Sequence, residues 1–101
     1  MTPLVELFSD PKRWTQNRYA RNKEGIATPI KDENAVCWCI IGGVYKLYDG
    51  PDQLRVEMKI RDVIAKKENS PNPNWISVTE WQDHPNRTLQ EVLEVLKEAG
   101  V

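Results

Sequence analysis

The side chains in this chain best suited to covalent chemistry are two cysteines, Cys37 and Cys39, and one histidine, His84, which follows Asp83. A thiol beside an imidazole is the smallest cysteine-nucleophile site: the ring takes the proton and the thiolate attacks. Read as part of a helix, both cysteines fall in its first half, where the helix dipole lowers a thiol pKa. Cys39 or Cys37 as nucleophile, His84 as base and Asp83 beside it are therefore the candidate set for a cysteine-dependent hydrolase or transferase. The competing reading is burial. Free cysteine is among the most buried residue types, and Trp38, Ile40 and Ile41 next to these two argue for packing. Burial is the preferred reading, and the chain is taken as non-enzymatic. Two closely spaced cysteines and one distant histidine do not supply the four ligands of a zinc site, so no metal is expected. Nor is a cofactor: a glycine-rich phosphate loop, a Ser-His-Asp set and clustered paired carboxylates are all missing.

Recognition chemistry is concentrated elsewhere. Between Pro11 and Lys23 stand five basic residues (Lys12, Arg13, Arg18, Arg21, Lys23) and no acid, with Trp14 and Tyr19 among them. Cations interleaved with aromatics suit stacking on bases and neutralising phosphates, so nucleic-acid binding through residues 11–23 is one option. The pI of about 5.8 favours the plainer reading, a solvated surface loop whose Trp14 packs inward, and the partner expected for the contact surface is another protein. From Glu68 to Val101 six acids face only Arg87 and Lys97, and the two ends of the chain could lie against each other as readily as bind an outside charge. A second tract, Trp81 to Pro85, has polar groups that could line a pocket, although its turn residues also have ordinary structural uses. The expected binding residues are Arg13, Trp14, Arg18, Tyr19, Trp81 and Asp83.

These side chains must be positioned by the elements around them. Thr2-Pro3 starts a first helix with Leu4, Val5, Leu7 and Phe8 inward, running to about Asp10. Trp14 to Ile30 lacks periodicity and reads as an ordered loop, with Tyr19-Ala20-Arg21 and Ile26-Ala27-Thr28 as arms of a small hairpin around Asn22-Lys23-Glu24-Gly25. Asp32 is placed as the cap of a second, central helix reaching Tyr48, apolar around nearly its whole circumference. Gly42-Gly43 inside it costs about 1 kcal/mol per glycine against alanine, which predicts close approach by another backbone. Pro51 opens a third helix with Val56, Ile60, Val63 and Ile64 on one face and Leu54 and Met58 widening it. Trp75, Ile76 and Val78 suggest a short extended segment. Thr88 and Glu91 form a capping box for a last helix ended by Gly100.

The expected fold is therefore mainly α, with about four helices around a central apolar one and a minor β-hairpin or short extended segments. At 101 residues the chain is read as a single domain, 1–101. Its longest apolar stretch, Ala35 to Tyr45, falls well short of the ~20 residues of a membrane-spanning helix, and residues 1–10 do not resemble a secretory leader. A cytoplasmic location with no membrane partner is expected.

With these residues assembled, the chain resembles an uncharacterised bacterial and phage family of the domain-of-unknown-function type. The pattern is an alanine shortly before Trp-Cys-x-x-Gly-small, then a Trp-Asn-Asp-like tract, then a threonine-capped terminal helix. Ala35, Trp38, Cys39, Gly42 and Gly43 match the first block, Trp81 and Asp83 the second, and Thr88, Val92 and Ala99 the third. Gln82 stands in place of asparagine and Gly43 in place of alanine. The resemblance carries no activity. It includes Cys39 but not His84, which favours packing over catalysis, and it implies an accessory protein of phage or mobile-element type.

Overall fold

The computed structural model describes residues 2–101; Met1, the first residue of the predicted domain, lies outside them. Five α-helices follow one another: α1 (Pro3–Phe8), α2 (Ile40–Leu47), α3 (Pro51–Lys67), α4 (Val78–Asp83) and α5 (Leu89–Ala99). A sheet of two short antiparallel strands, β1 (Ala20–Arg21) and β2 (Cys37–Trp38), completes a mainly α structure with minor β. Among the described residues no helix is long and apolar enough to cross a membrane.

Helices with strong local signals form where the sequence places them. α3 starts at Pro51, whose missing N–H costs nothing in a first turn, and buries Val56, Ile60, Val63 and Ile64 along one face. Leu54, expected to widen that face, is 62 % exposed. α5 has the predicted capping box: the Glu91 N–H donates to Thr88 Oγ1 (3.2 Å) and the Thr88 N–H to Glu91 Oε1 (2.9 Å). That backbone donor, with help from the Thr88 hydroxyl and Arg87, holds the Glu91 carboxyl below the ordinary glutamate range. Gly100 ends the helix in the left-handed conformation at φ 74°. Thr2 precedes α1 as expected, but its hydroxyl does not cap that helix; it donates to the Val101 carbonyl and ties α1 to the end of α5.

Two expectations are corrected. The second helix begins at Ile40, not near Asp32: residues 31–36 are turns and irregular backbone, residues 37–38 are β2, and Cys39 is the helix cap. Of Trp75 to Val78 only Ile76 and Ser77 are extended, because Pro73–Trp75 forms a 3-10 turn and Ser77 caps α4, which starts at Val78, by accepting from the Glu80 N–H (3.2 Å). The small hairpin forms where it is expected: Arg21 bridges Ala27, the Thr28 N–H donates to the Ala20 carbonyl (3.1 Å) and the Asn22 N–H to the Ile26 carbonyl (2.9 Å). β1 also makes a ladder with β2, pairing Ala20 with Trp38 and Arg21 with Cys37.

One apolar cluster joins all five helices and both strands, with Leu4, Phe8, Ile40, Ile60, Ile64 and Leu96 fully enclosed. Each such side chain contributes about 1.5–3 kcal/mol by leaving water. α2 packs against α1, α3 and α4. Its first half, Ile40 to Val44, is buried, whereas Tyr45 to Leu47 face solvent. The expected close approach at the glycine pair is real for Gly42: a Cβ there would lie 2.0 Å from the Tyr19 carbonyl oxygen. At Gly43 the neighbour is a side chain, with the Phe8 ring 2.9 Å from where the Cβ would be.

Candidate functional site

α4 and the loop that follows the first 3-10 turn are held together by one buried amide. α4 is amphipathic over a short span, with Val78, Trp81 and Gln82 inward. It stops at His84 because the residue before Pro85 is pushed out of the helical region, and His84 is extended at φ −55°, ψ 132°. Gln82 is fully buried, and every hydrogen-bonding position of its amide is used. Its Oε1 accepts from Trp14 Nε1 (2.7 Å) and from the Ile40 N–H (3.3 Å). Its Nε2 donates to the Thr15 carbonyl (3.2 Å) and to Asp83 Oδ1 (2.5 Å). One side chain thus joins the loop, the start of α2 and α4.

The loop is fastened at further points. Gln16 Nε2 donates to the Gln82 and His84 carbonyls (2.8 and 3.0 Å), and the Asn17 N–H donates to Asp83 Oδ1 (2.9 Å). Asn17 itself is left-handed at φ 70°, a conformation asparagine tolerates better than most residues. Arg21 turns inward and clamps the loop from the other side, donating to Thr15 Oγ1, the Gln16 carbonyl and the Gly25 carbonyl (3.0, 3.1 and 2.8 Å). Tyr19 then passes directly over the start of α2, where its carbonyl accepts from the Cys39 N–H (3.2 Å).

Between this loop, the start of α2 and α4 lies a cleft of about 340 Å³ lined by Asn17, Arg18, Tyr19, Cys39, Thr79 and Asp83. Asp83 is half-buried, and its Oδ1 is fixed by two N–H donors, from Asn17 and Gln82. Arg18 is exposed and spends one donor on the Asn17 carbonyl (2.7 Å). Tyr19 is 54 % exposed. Cys39 belongs to the floor, being 2 % exposed.

Cys39 acts here as a helix cap. Its Sγ accepts from the Gly42 N–H at 3.3 Å. Burial pushes its thiol up from the ordinary value of 9.0; the N–H groups of Gly42 and Ile41 pull it down, and the Asp83 charge raises it further. The balance keeps the sulfur protonated at neutral pH, the opposite of what an attacking thiolate needs. His84 does not line the cleft. It is exposed, and its Nδ1 accepts from the Asn86 N–H (3.1 Å). Cys37 is half-buried on β2, with its Sγ directed at the Arg21 carbonyl at 3.9 Å. Of the four candidate catalytic residues, only Cys39 and Asp83 meet in the cleft, and the carboxylate there disfavours the thiolate. Among the described residues no His, Cys, Asp and Glu group suits a metal ion.

The six expected binding residues divide in the same way. Arg18, Tyr19 and Asp83 converge on the cleft. Trp14 is half-buried behind it with its indole N–H on Gln82. Trp81 is buried, donates from Nε1 to Glu68 Oε1 (3.0 Å), and is covered by the Arg87 guanidinium 3.9 Å from the ring centre. Arg13 lies apart, in a shallow groove with Pro3, Glu6, Leu7 and Leu47. Sequence reasoning missed Asn17, Thr79 and Gln82. The spacing Val78, Trp81, Gln82 is the inward face of a helical turn, and recognising α4 would have placed Gln82 in the core.

A thiol reagent at neutral pH is expected to label Cys37 first and Cys39 only at the rate of opening of the fold. Fast labelling of Cys39 in the native protein would contradict its role as a cap. The raised thiol pKa also has a sign in stability. Above pH 9.0 the unfolded chain ionises Cys39 while the folded one still holds the proton, so stability falls as pH rises until the folded thiol ionises too. In Cys39→Ser this alkaline loss should disappear.

A helix-rich fold with a minor sheet, a protonated capping thiol and a cleft flanked by Arg18 and Asp83 define a small, mainly α-helical domain. The chain belongs to the Family of unknown function (DUF6197), whose profile matches residues 6–100. No curated protein and no solved structure matches it.

Proposed function

We propose that the chain is a non-enzymatic interaction module that docks another protein at the cleft between residues 17–19 and α4. The observation that carries this reading is the convergence of Arg18, Tyr19 and Asp83 on one cleft whose backbone is held by the buried Gln82 amide. Such a frame presents recognition groups without the ordering cost that a free loop would incur on binding. The finer reading is an accessory protein of phage or mobile-element type, acting in the cytoplasm. The basic segment gives less support to nucleic acid as the partner: Arg21 is spent inside the loop, and Lys23 shares its groove with Glu24 and Glu33.

A photoreactive amino acid at position 19, compared with one at the exposed Gln90 on α5, tests the reading in an extract of the source cells. A protein adduct is expected from position 19 alone, and it should be lost when Arg18→Glu is added. Equal adducts from both positions, or an adduct at 19 indifferent to Arg18, would overturn it.

A further inference from the structure

The cleft contains a cation and an anion that the fold leaves without charged partners. Arg18 and Asp83 both line it, and neither takes part in any ion pair among the described residues. Asp83 is the better defined of the two. Its Oδ1 accepts from the Asn17 N–H (2.9 Å) and from Gln82 Nε2 (2.5 Å), both fixed, so the carboxylate is pre-positioned with no intramolecular bond at Oδ2 among the described residues. The side chains of Asn17 and Thr79, which share the wall, likewise make no hydrogen bond among these residues.

We infer that the cleft selects a peptide segment carrying a Lys or Arg beside an Asp or Glu, the basic side chain going to Asp83 and the acidic one to Arg18. The inference rests on the docking reading above and names what is docked. Charge complementarity carries it. An apolar occupant could cover the cleft's apolar lining, but it would give Asp83 Oδ2 and the Arg18 guanidinium no partner. A purely cationic occupant would satisfy Asp83 and face Arg18, and a purely anionic one the reverse. Only a neutral, charge-separated occupant satisfies both walls, and rejection of the others gives specificity by repulsion as much as by attraction. Tyr19 suits the same occupant: its exposed ring can lie along the aliphatic stem of a lysine or stack on a guanidinium. Asn17 and Thr79 offer an amide and a hydroxyl to the backbone of the docked segment.

The test uses blocked dipeptides, N-acetyl-Lys-Glu-amide and its counterparts with acetyl-lysine or glutamine in place of either charge, titrated while the backbone amide NMR signals of Tyr19 and Thr79 are followed. The doubly charged peptide is expected to shift both signals, and removal of either charge should weaken binding by about two- to fivefold, the upper part of the range for one partly exposed ion pair. Asp83→Asn keeps the Oδ1 acceptor for the Asn17 N–H, and it should abolish the preference for lysine over acetyl-lysine. Arg18→Gln, at an exposed position, should abolish the preference for glutamate over glutamine. Equal binding of all peptides, or binding of free glycine as tight as that of the dipeptide, would overturn the assignment. If the photoadduct at position 19 forms and the peptides show no charge preference, the docking surface stands and the paired-charge specificity falls.

Discussion

Gly42→Ala is expected to lower stability by about 3 kcal/mol or more, although alanine is the better helix former by about 1 kcal/mol. The reason is a backbone contact. The new Cβ would stand 2.0 Å from the Tyr19 carbonyl oxygen and 3.0 Å from its carbon. A carbonyl cannot rotate aside as a side chain can, and this one accepts from the Cys39 N–H (3.2 Å) beside the β1–β2 ladder. Making room would require the loop to withdraw from α2, breaking that bond and opening the cleft. For a domain of this size the loss corresponds to a fall in melting temperature of more than ~12 °C. Gly43→Ala is the internal comparison. Its Cβ would meet the Phe8 ring at 2.9 Å and Leu4 Cδ2 at 3.2 Å, side-chain atoms that can yield, so a smaller loss of about 1–2 kcal/mol is expected. Thermal melts followed by circular dichroism rank the two. A Gly42→Ala protein as stable as the parent would show that the loop does not rest on α2.

Gln82→Leu is expected to cost about 3–5 kcal/mol in spite of its similar volume. Leucine would leave the Trp14 indole N–H, the Ile40 N–H and the Thr15 carbonyl without their partner in or beside the core. Each polar group so stranded loses about 1–3 kcal/mol. The damage should be local first, because the same amide steadies Asp83, which in turn holds the Asn17 N–H. Hydrogen exchange is the discriminating measurement: amides of residues 14–19 and the first turn of α2 should lose protection, whereas the centre of α3 should lose it only with global unfolding. Uniform loss throughout the chain would mean that Gln82 does not tie the loop separately. With total stabilities of about 5–15 kcal/mol, either substitution is large enough to be read without ambiguity.

The same two residues mark where the sequence is easy to read and where it is not. α3 and α5 were legible because their causes are local: a 3.6-residue apolar period, a proline at one start, a Thr88–Glu91 box at the other and a left-handed glycine at the end. The glycine pair announced a close approach without saying to what. The start of α2 was hidden because Ala35 to Trp38 suits a buried helix or a buried strand equally well, and only pairing with residues 20–21 decides. α4 was hidden by its length, since six residues carry under two turns of periodicity.

The candidate site shows the same division. Arg18, Tyr19 and Asp83 could be named from residue type. Their convergence could not, since the loop and α4 lie far apart in the chain, with Asn17 and Asp83 66 positions from each other. The burial expected of both cysteines holds for Cys39, whereas Cys37 is only half-buried, and the work of Cys39 as a helix cap depends on where α2 begins.

By itself the sequence determined the helices whose caps and apolar periods are complete within a dozen residues, and the mainly α class. The tertiary structure alone decided that one glutamine is the buried junction, that His84 stays away from the thiol, and that one cation and one anion share a cleft. The physical reason is range. Propensity and capping act between neighbours, whereas a buried amide finds its partners, and a charge its surroundings, only after distant segments have been packed together.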